Sequence, residues 1–323
     1  MNSNKNNKIN SKMSDVGGKM DFKGRSIVSI KDLSKEEIMY ILKTAKSIEE
    51  NPQPALLKGK ILAALFFEPS TRTRLSFESA MYRLGGQVLG FADANITSIS
   101  KGETLADTAR IISTYCDVVA MRHPVAGTAQ IFADNASVPV INGGDGANQH
   151  PTQTLLDLYT IQKSKGRLEN LTVGFLGDLK YGRAVHSLAH ALSLFDVKLY
   201  FISPKSLRMP DEDMEHLKKS GLEFHETDDF YGTLKHLDIL YDTRIQRERF
   251  LDPEEYEKHK GVYIVDRRIE KFAKPDMKIL HPLPRVDELS PELDDTPYAL
   301  YFQQAKNGIP IRQALLALVL GKI

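Results

Sequence analysis

The sequence has no tryptophan and only one cysteine among 323 residues. A single thiol, Cys116, excludes an internal disulfide and any cysteine-based zinc cluster, and it fits a reducing, cytosolic setting. Its place between Ile111-Ile112 and Val118-Val119 suits packing rather than chemistry. An excess of either charge is missing too. With 43 Lys and Arg against 42 Asp and Glu, the net charge of +1 gives no global attraction to nucleic acid or an anionic membrane. No apolar run approaches the roughly 20 residues of a membrane span. Val173-Gly174-Phe175-Leu176-Gly177-Asp178 begins like a dinucleotide fingerprint, but the next glycine is Gly182 and the tight turn is lost. Walker and G-x-S-x-G motifs are absent. His123, His150, His186, His190 and His281 have no carboxylates at ligand spacing, so no metal is expected. His186 and His190, four apart, read as packing or surface residues on one helix face.

What remains is a soluble globular chain, 41% hydrophobic and 26% charged, with room for two domains. Residues 1–20 stand apart in composition. They hold Asn, Ser, Lys and Gly with little to bury, and read as a disordered, passive tail ahead of an internal start at Met13 or Met20. From there, apolar runs alternate with helical periodicities. Ser34 and Glu37 form a capping box before the helix of Ile38, Ile41, Leu42, Ala45 and Ile48. The run Ile61–Phe66 reads as a buried parallel strand, and Leu75, Phe77, Ala80, Met81 and Leu84 as the helix after it. A loop from Ala92 to Gly102 precedes a helix over 103–115, and strands follow at 118–121 and 138–141, the last running into a loop from Asn142 to Gly146. A helix beginning at His150-Pro151 marks the hinge. The second half repeats the pattern, with strands at 171–176, 198–202, near 224, and at 239–241, 262–265 and 277–280. Two closing helices follow, the last at 311–320 with Pro310 near its start. Alternation twice over predicts an α/β fold, two open parallel-sheet domains flanked by helices.

The polar motifs share one position. Ser70-Thr71-Arg72, Arg122-His123, Asn142-Gly143-Gly144, Gly177-Asp178, Arg244 and His281-Pro282-Leu283 each follow the carboxyl end of a strand, where open parallel sheets bind ligands. Ser70-Thr71-Arg72-Thr73-Arg74 sits where a strand becomes the first turn of a helix, so unpaired N–H groups, hydroxyls and guanidinium groups converge on a phosphate-like anion. Arg72, Arg74, Lys101, Arg122, Arg183, Arg244 and Arg285 together imply a polyanionic ligand. In extended chain Arg244 and Gln246 point to one side and suit a carboxylate. His150 and Gln153 share a helix face, and spacing alone leaves two roles open for His150, polarising a carbonyl or capping the helix.

Ser70-Thr71-Arg72-Thr73-Arg74, His150-Pro151-Thr152-Gln153, Arg244-Ile245-Gln246 and His281-Pro282-Leu283-Pro284-Arg285 together resemble the transcarbamoylases, and among them the branch that carbamoylates aspartate. The likeness runs from about Phe22 onward and includes Lys101-Gly102-Glu103-Thr104-Leu105-Ala106-Asp107. It implies a carbamoyl-phosphate-binding domain at 21–151, with a helix at 308–323 packing back on it, and an aspartate-binding domain at 152–307, joined by interdomain helices. Ser70, Thr71, Arg72 and Thr73 would hold the phosphate of carbamoyl phosphate. Thr73, Arg122 and His150 would take its carbonyl oxygen and Gln153 its amide nitrogen. Arg183, Arg244 and Gln246 would hold L-aspartate, with backbone at Pro282-Leu283 orienting both substrates. Ser98 and Lys101 would enter the site of a neighbouring subunit, giving a homotrimer. Neither cofactor nor metal is implied. The product would be N-carbamoyl-L-aspartate, an early pyrimidine precursor made in the cytoplasm. A regulatory chain or pathway enzyme as partner would leave no mark on this sequence. Ornithine as acceptor is disfavoured, because that branch carries His-Cys-Leu-Pro and a tryptophan-containing segment. Asp242 departs from the family, which usually has an apolar residue there; a carboxylate at that point is expected to pair with Arg244 or Arg285.

Overall fold

The run Ile-Leu-Ala-Ala-Leu-Phe forms strand β1 (Ile61–Phe66), buried from Leu62 onward as a strand covered on both faces must be. Its side chains alternate between two cores. Leu62, Ala64 and Phe66 join one apolar cluster, and Ala63 and Leu65 another. A computed structural model describes residues 20–93, 101–246, 250 and 252–323. In chain order, α1 (Lys35–Glu50) precedes β1, and α2 (Thr71–Arg83), β2 (Gln87–Phe91), α3 (Leu105–Ile112), β3 (Val118–His123), α4 (Thr128–Asn135) and β4 (Val140–Asp145) follow it. These strands form a parallel sheet in the order β2-β1-β3-β4. After α5 (Pro151–Lys165) come β5 (Leu171–Gly177), α6 (Arg183–Leu192), β6 (Val197–Ile202), α7 (Asp211–Lys219), β7 (Glu223–Thr227), α8 (Phe230–Leu234), β8 (Ile239–Thr243), α9 (Pro253–Glu257), β9 (Lys278–Leu280) and α10 (Tyr301–Val319). The second sheet, β7-β6-β5-β8-β9, is also parallel. Two parallel α/β domains are therefore present, as the alternation predicted.

Local chemistry explains the boundaries. Ser34 Oγ accepts from the Glu37 N–H at 3.2 Å, and Glu37 returns the bond to the Ser34 N–H at 2.9 Å, completing the expected capping box. Such a cap stabilises a helix by about 1 kcal/mol. Helices α5 and α10 join the halves. Helix α10 packs on α1, α2, α5 and β9, and α5 packs on β4 and α6. One apolar cluster runs through them, taking Phe77 from the first domain and Phe175 and Tyr241 from the second.

Three expectations need correction. The segment Asn142-Gly143-Gly144 is not a loop: β4 continues to Asp145, fully buried, because Asn142 and Asp145 bond to one another (2.9 Å) and Gly144 supplies a φ of +116° at a register shift against β3. Residues 262–265 are not a strand. Val262 is 46% exposed, and only Val265 makes a bridge, to Leu289. The two closing helices are one, because α10 runs through Pro310. Proline removes the bond to the Lys306 carbonyl, but Lys306 lies on the exposed side where solvent can reach it. Residues 1–19 of the expected tail and Ser98 lie outside the described residues, while Met20 packs half-buried on the core.

Each sheet has one place where strand order reverses, between β1 and β3 in the first and between β5 and β8 in the second. Crevices open at such points. The second depends on Gly177, whose φ is +109° and where a Cβ would stand 2.1 Å from the Thr243 carbonyl oxygen. Gly221, at φ +76°, has nothing within 4 Å. Gly221→Ala is expected to cost about 1 kcal/mol, the left-handed backbone term alone. Gly177→Ala should cost at least about 2 kcal/mol more by forcing β5 and β8 apart. Denaturant melts of the two variants check this, and equal costs would refute it.

Candidate active site

A cavity of about 490 Å³ lies between the carboxyl edges of the two sheets, at both reversals of strand order. From the first sheet it receives Ser70 to Thr73 beyond β1 and Arg122 at the end of β3. His150 and Gln153 come from the start of α5. From the second it receives Arg183 at the start of α6, Arg244 and Gln246 beyond β8, and Pro282 and Leu283 beyond β9. Lys101 is exposed and does not line this cavity in the single chain.

Ser70 occupies the N-cap position of α2, yet its side chain makes no capping bond. Its hydroxyl and the first-turn N–H groups of Thr71 to Thr73 are thus left for a ligand. Arg74 does not line the cavity, contrary to expectation. It pairs with Glu78 one turn on, at 2.7 Å. Arg285 is likewise drawn away, its Nη2 donating to Asp294 at 2.7 Å. The Asp242 carboxyl group, buried and with Oδ2 unpartnered, makes no pair with Arg285. Burial, then the nearby Glu288 charge, push its pKa well above the usual carboxylate range. Both causes favour its neutral form.

Acids at the cavity wall and behind it hold the site's residues in place. Arg122 donates from Nη2 to Glu68 at 2.8 Å. Buried Asp145 accepts from the backbone N–H groups of Gly127 (2.8 Å) and Gln149 (3.1 Å), fixing the turn that leads into His150. Buried Asp178 accepts from the N–H groups of Tyr181 (3.0 Å) and Gln246 (3.3 Å), tying the turn before Arg183 to the Arg244-Gln246 segment. Gln246 Nε2 donates to the Tyr181 carbonyl at 3.2 Å. Arg183 donates to the Gly146 carbonyl, so the two domains meet across the cleft. At His281, Nδ1 accepts from the Leu283 N–H (2.8 Å) and Nε2 meets Glu288 (2.9 Å), which places the proton on Nε2. That histidine holds the Pro282-Leu283 backbone at the cavity wall.

His150 stands at the N-cap of α5 without making a capping bond, so the capping role left open by the sequence is not its role here. It is 6% exposed, with Nδ1 unpartnered. Burial, followed by the charges of Arg183, Arg122 and Arg312, holds its pKa well below the ordinary value. A neutral imidazole can donate one hydrogen bond to a carbonyl oxygen.

Several residues escaped the sequence reading. Arg312 lines the cavity floor and is 3% exposed, its guanidinium 4.9 Å above the Phe77 ring. Burial pushes it down to about 10. Gln304 and Glu68 also line the cavity, and Asp157 lies behind Gln153. A signal existed for two of them. Arg312 is flanked by Ile311 and the run from Ala314, and Asp157 by Leu155-Leu156 and Leu158-Tyr159; a charge set inside an apolar run is rarely buried without a task. Cys116 packs as expected, its thiol pushed up to about 11 by burial. Among the described residues no group of three His, Cys, Asp or Glu could hold a metal ion, and no helix is long and apolar enough to cross a membrane.

Fold and cleft together define a two-domain parallel α/β enzyme with an arginine-lined cavity between its two sheets. Residues 25–163 match the carbamoyl-phosphate-binding domain of the aspartate/ornithine carbamoyltransferases, and residues 169–319 match their aspartate/ornithine-binding domain. The aspartate carbamoyltransferase catalytic subunit of Thermococcus onnurineus is 58% identical, covering 94% of this chain and 99% of its own. That of Chromobacterium violaceum is 54% identical, over 92% and 98%. Among solved structures, the M. jannaschii aspartate transcarbamoylase catalytic subunit superposes with a TM-score of 0.85 at 50% identity, over 91% of this chain and 98% of that one. Aspartate transcarbamoylase from Trypanosoma cruzi does so at 0.87 and 39%, over 93% and 97%. The chain belongs to the aspartate/ornithine carbamoyltransferase family.

A neutral His150 has a direct test. In the ligand-free protein its ring carbon-bound proton shift, assigned by its loss in His150→Asn, should stay flat from pH 8 to pH 5.5. The sign follows from the depressed pKa: the neutral form persists as pH falls through the ordinary histidine value near 6.5. A titration centred near 6.5 would refute it.

Proposed function

We propose that the protein transfers the carbamoyl group of carbamoyl phosphate to the amine of L-aspartate, releasing phosphate and N-carbamoyl-L-aspartate. One observation carries this reading. A helix-start anion nest at Ser70 to Thr73 and the Arg183, Arg244 and Gln246 group face one another across a single cavity. The Trypanosoma cruzi relative has been solved with carbamoyl phosphate and aspartate, and with carbamoyl aspartate and phosphate.

Ser70, Thr71, Arg72 and Thr73 bind the phosphate, and Gln153 the carbamoyl amide. Arg183, Arg244 and Gln246 hold the two carboxylates of aspartate, and the Pro282-Leu283 backbone aligns both substrates. The neutral amine attacks the carbamoyl carbon. As the tetrahedral oxyanion forms, Thr73, Arg122 and His150 stabilise it. The carbon–oxygen bond to phosphate then breaks, and the amine's proton leaves with it. Arg72 and Lys101 stabilise the departing phosphate. Bringing two anions together is itself a large part of the catalysis, since proximity and orientation can supply several kcal/mol.

We assign 21–151 with 308–323 to the donor domain and 152–307 to the acceptor domain. Lys101, exposed and away from its own cavity, supports a homotrimer in which Lys101 and Ser98 serve a neighbouring subunit's site. The reaction makes a pyrimidine precursor in the cytoplasm.

Phosphate release from carbamoyl phosphate should require L-aspartate and be negligible with L-ornithine; the reverse preference would overturn the reading. Arg244→Ala should raise the aspartate KM at least tenfold, the loss of one charge-assisted contact of about 1.5–3 kcal/mol. Lys101→Ala and His150→Ala chains, each inactive alone, should regain activity when unfolded together and refolded as mixed trimers. Mixtures no more active than their components would exclude shared sites.

A further inference from the structure

A chain of hydrogen bonds fixes which end of the Gln153 amide faces the cavity. It starts at the backbone of His281, whose N–H donates to Gln304 Oε1 at 2.8 Å. A backbone N–H can only donate, so the oxygen of Gln304 must face it. The NH2 of Gln304 therefore points the other way, to Asp157 Oδ1 at 2.6 Å. Asp157 Oδ1 is thus an acceptor, and any proton on this carboxyl group belongs on Oδ2, beside Tyr241 Oη at 2.8 Å. Gln153 meets the same Oδ1 at 2.8 Å and must also present its NH2. Gln153 lines the cavity. With its NH2 turned inward to Asp157, its carbonyl oxygen is the end left for a ligand.

We infer that Asp157, fully buried and not itself touching substrate, is a positioning residue that makes the site selective for a donor whose acyl carbon bears an N–H group. An amide free to rotate could offer either end. Held by Asp157, Gln153 is an acceptor only. It rewards a carbamoyl NH2 and leaves its oxygen unpaired against a methyl group, the arrangement that discriminates best between near-isosteric ligands. The anchor is shared by three elements, Asp157 on α5, Tyr241 on β8 and Gln304 on α10, so the selectivity filter is tied to the joint between the domains. This rests on the assignment of the carbamoyl amide to Gln153.

The test uses acetyl phosphate, which replaces the NH2 by CH3, as a competitor of carbamoyl phosphate in the full enzyme with L-aspartate. The readout is the inhibition constant of acetyl phosphate divided by the KM for carbamoyl phosphate. General damage to the site moves both constants together and leaves this ratio unchanged. Gln153→Met and Asp157→Leu should each lower the ratio about tenfold, one lost amide contact. Asp157→Asn should keep it within about twofold. In that variant the fixed NH2 of Gln304 still demands the side-chain oxygen, and Tyr241 Oη can accept from the new amide nitrogen. A ratio lowered by Gln153→Met but not by Asp157→Leu overturns the inference and leaves the Gln153 assignment intact. A ratio unmoved by Gln153→Met overturns both.

Should Asp157→Leu fail to fold, the double variant Asp157→Asn with Gln304→Met decides. Each single change leaves one fixed reference for Gln153, so each keeps the ratio. Together they remove it, and the ratio should fall. An unchanged ratio in the double variant overturns the inference.

Discussion

Repulsion among like charges is the constraint on which this site depends. Arg72, Arg122, Arg183, Arg244 and Arg312 line one cavity, and Glu68 is the only carboxylate among the described lining residues. At an effective dielectric of 20, two guanidinium groups about 6 Å apart repel by about 3 kcal/mol. Several such terms cannot be borne by mobile side chains, which would simply swing out to solvent. They are borne because strand ends and helix starts inside two packed domains hold the backbones still. The cleft is thus a region of stored positive potential, which suits it to anionic ligands.

The acids supply the second half of that answer. Glu68 lines the cavity and carries the Arg122 contact, while Asp145, Asp157 and Asp178 are buried behind it. Asp145 and Asp178 accept from backbone N–H groups that fix the turns before His150 and Arg183 and the segment at Gln246, and Asp157 accepts from the Gln153 and Gln304 amides. Placed this way they orient cationic residues without neutralising them. His150 is the complementary case. Amid so many cations an imidazolium would be costly, so burial and charge together keep the ring neutral and fit it to donate one directed hydrogen bond rather than to add one more charge.

Much of this could be read in the sequence, for identifiable physical reasons. Parallel strands buried on both faces leave unbroken apolar runs, so β1, β3, β5 and β8 were visible, and with them the position of every motif at a strand's carboxyl end. The polar helix start was legible because Ser70 to Arg74 interrupts two apolar elements. Where reading failed, a tertiary contact had overridden a local rule. Asn142 to Asp145 carries loop chemistry but extends a strand, because its polar side chains bond to each other inside the protein. Pro310 has the look of a helix start but sits mid-helix, because buried contacts on both sides hold α10 together. Arg74 and Arg285 look like Arg72 and Arg244 in sequence. Only the positions of Glu78 and Asp294 show that they are engaged elsewhere.

The deepest part of the site was the least visible for the same reason. Asp157 and Arg312 sit within apolar stretches of their helices, and much of what each does comes through partners far away in the chain, Tyr241 and Gln304 for Asp157 and Thr152 for Arg312. A local reading assigns such residues to no motif. Yet α5 and α10 are the elements that belong to both domains, and a polar group buried there must be satisfied from both at once. Donor and acceptor recognition sit on separate sheets, so a cleft that must bring two anions into one geometry needs its alignment set at the joint between them. Buried hydrogen bonds among Gln153, Asp157, Tyr241 and Gln304 are strong enough, and directional enough, to set it there.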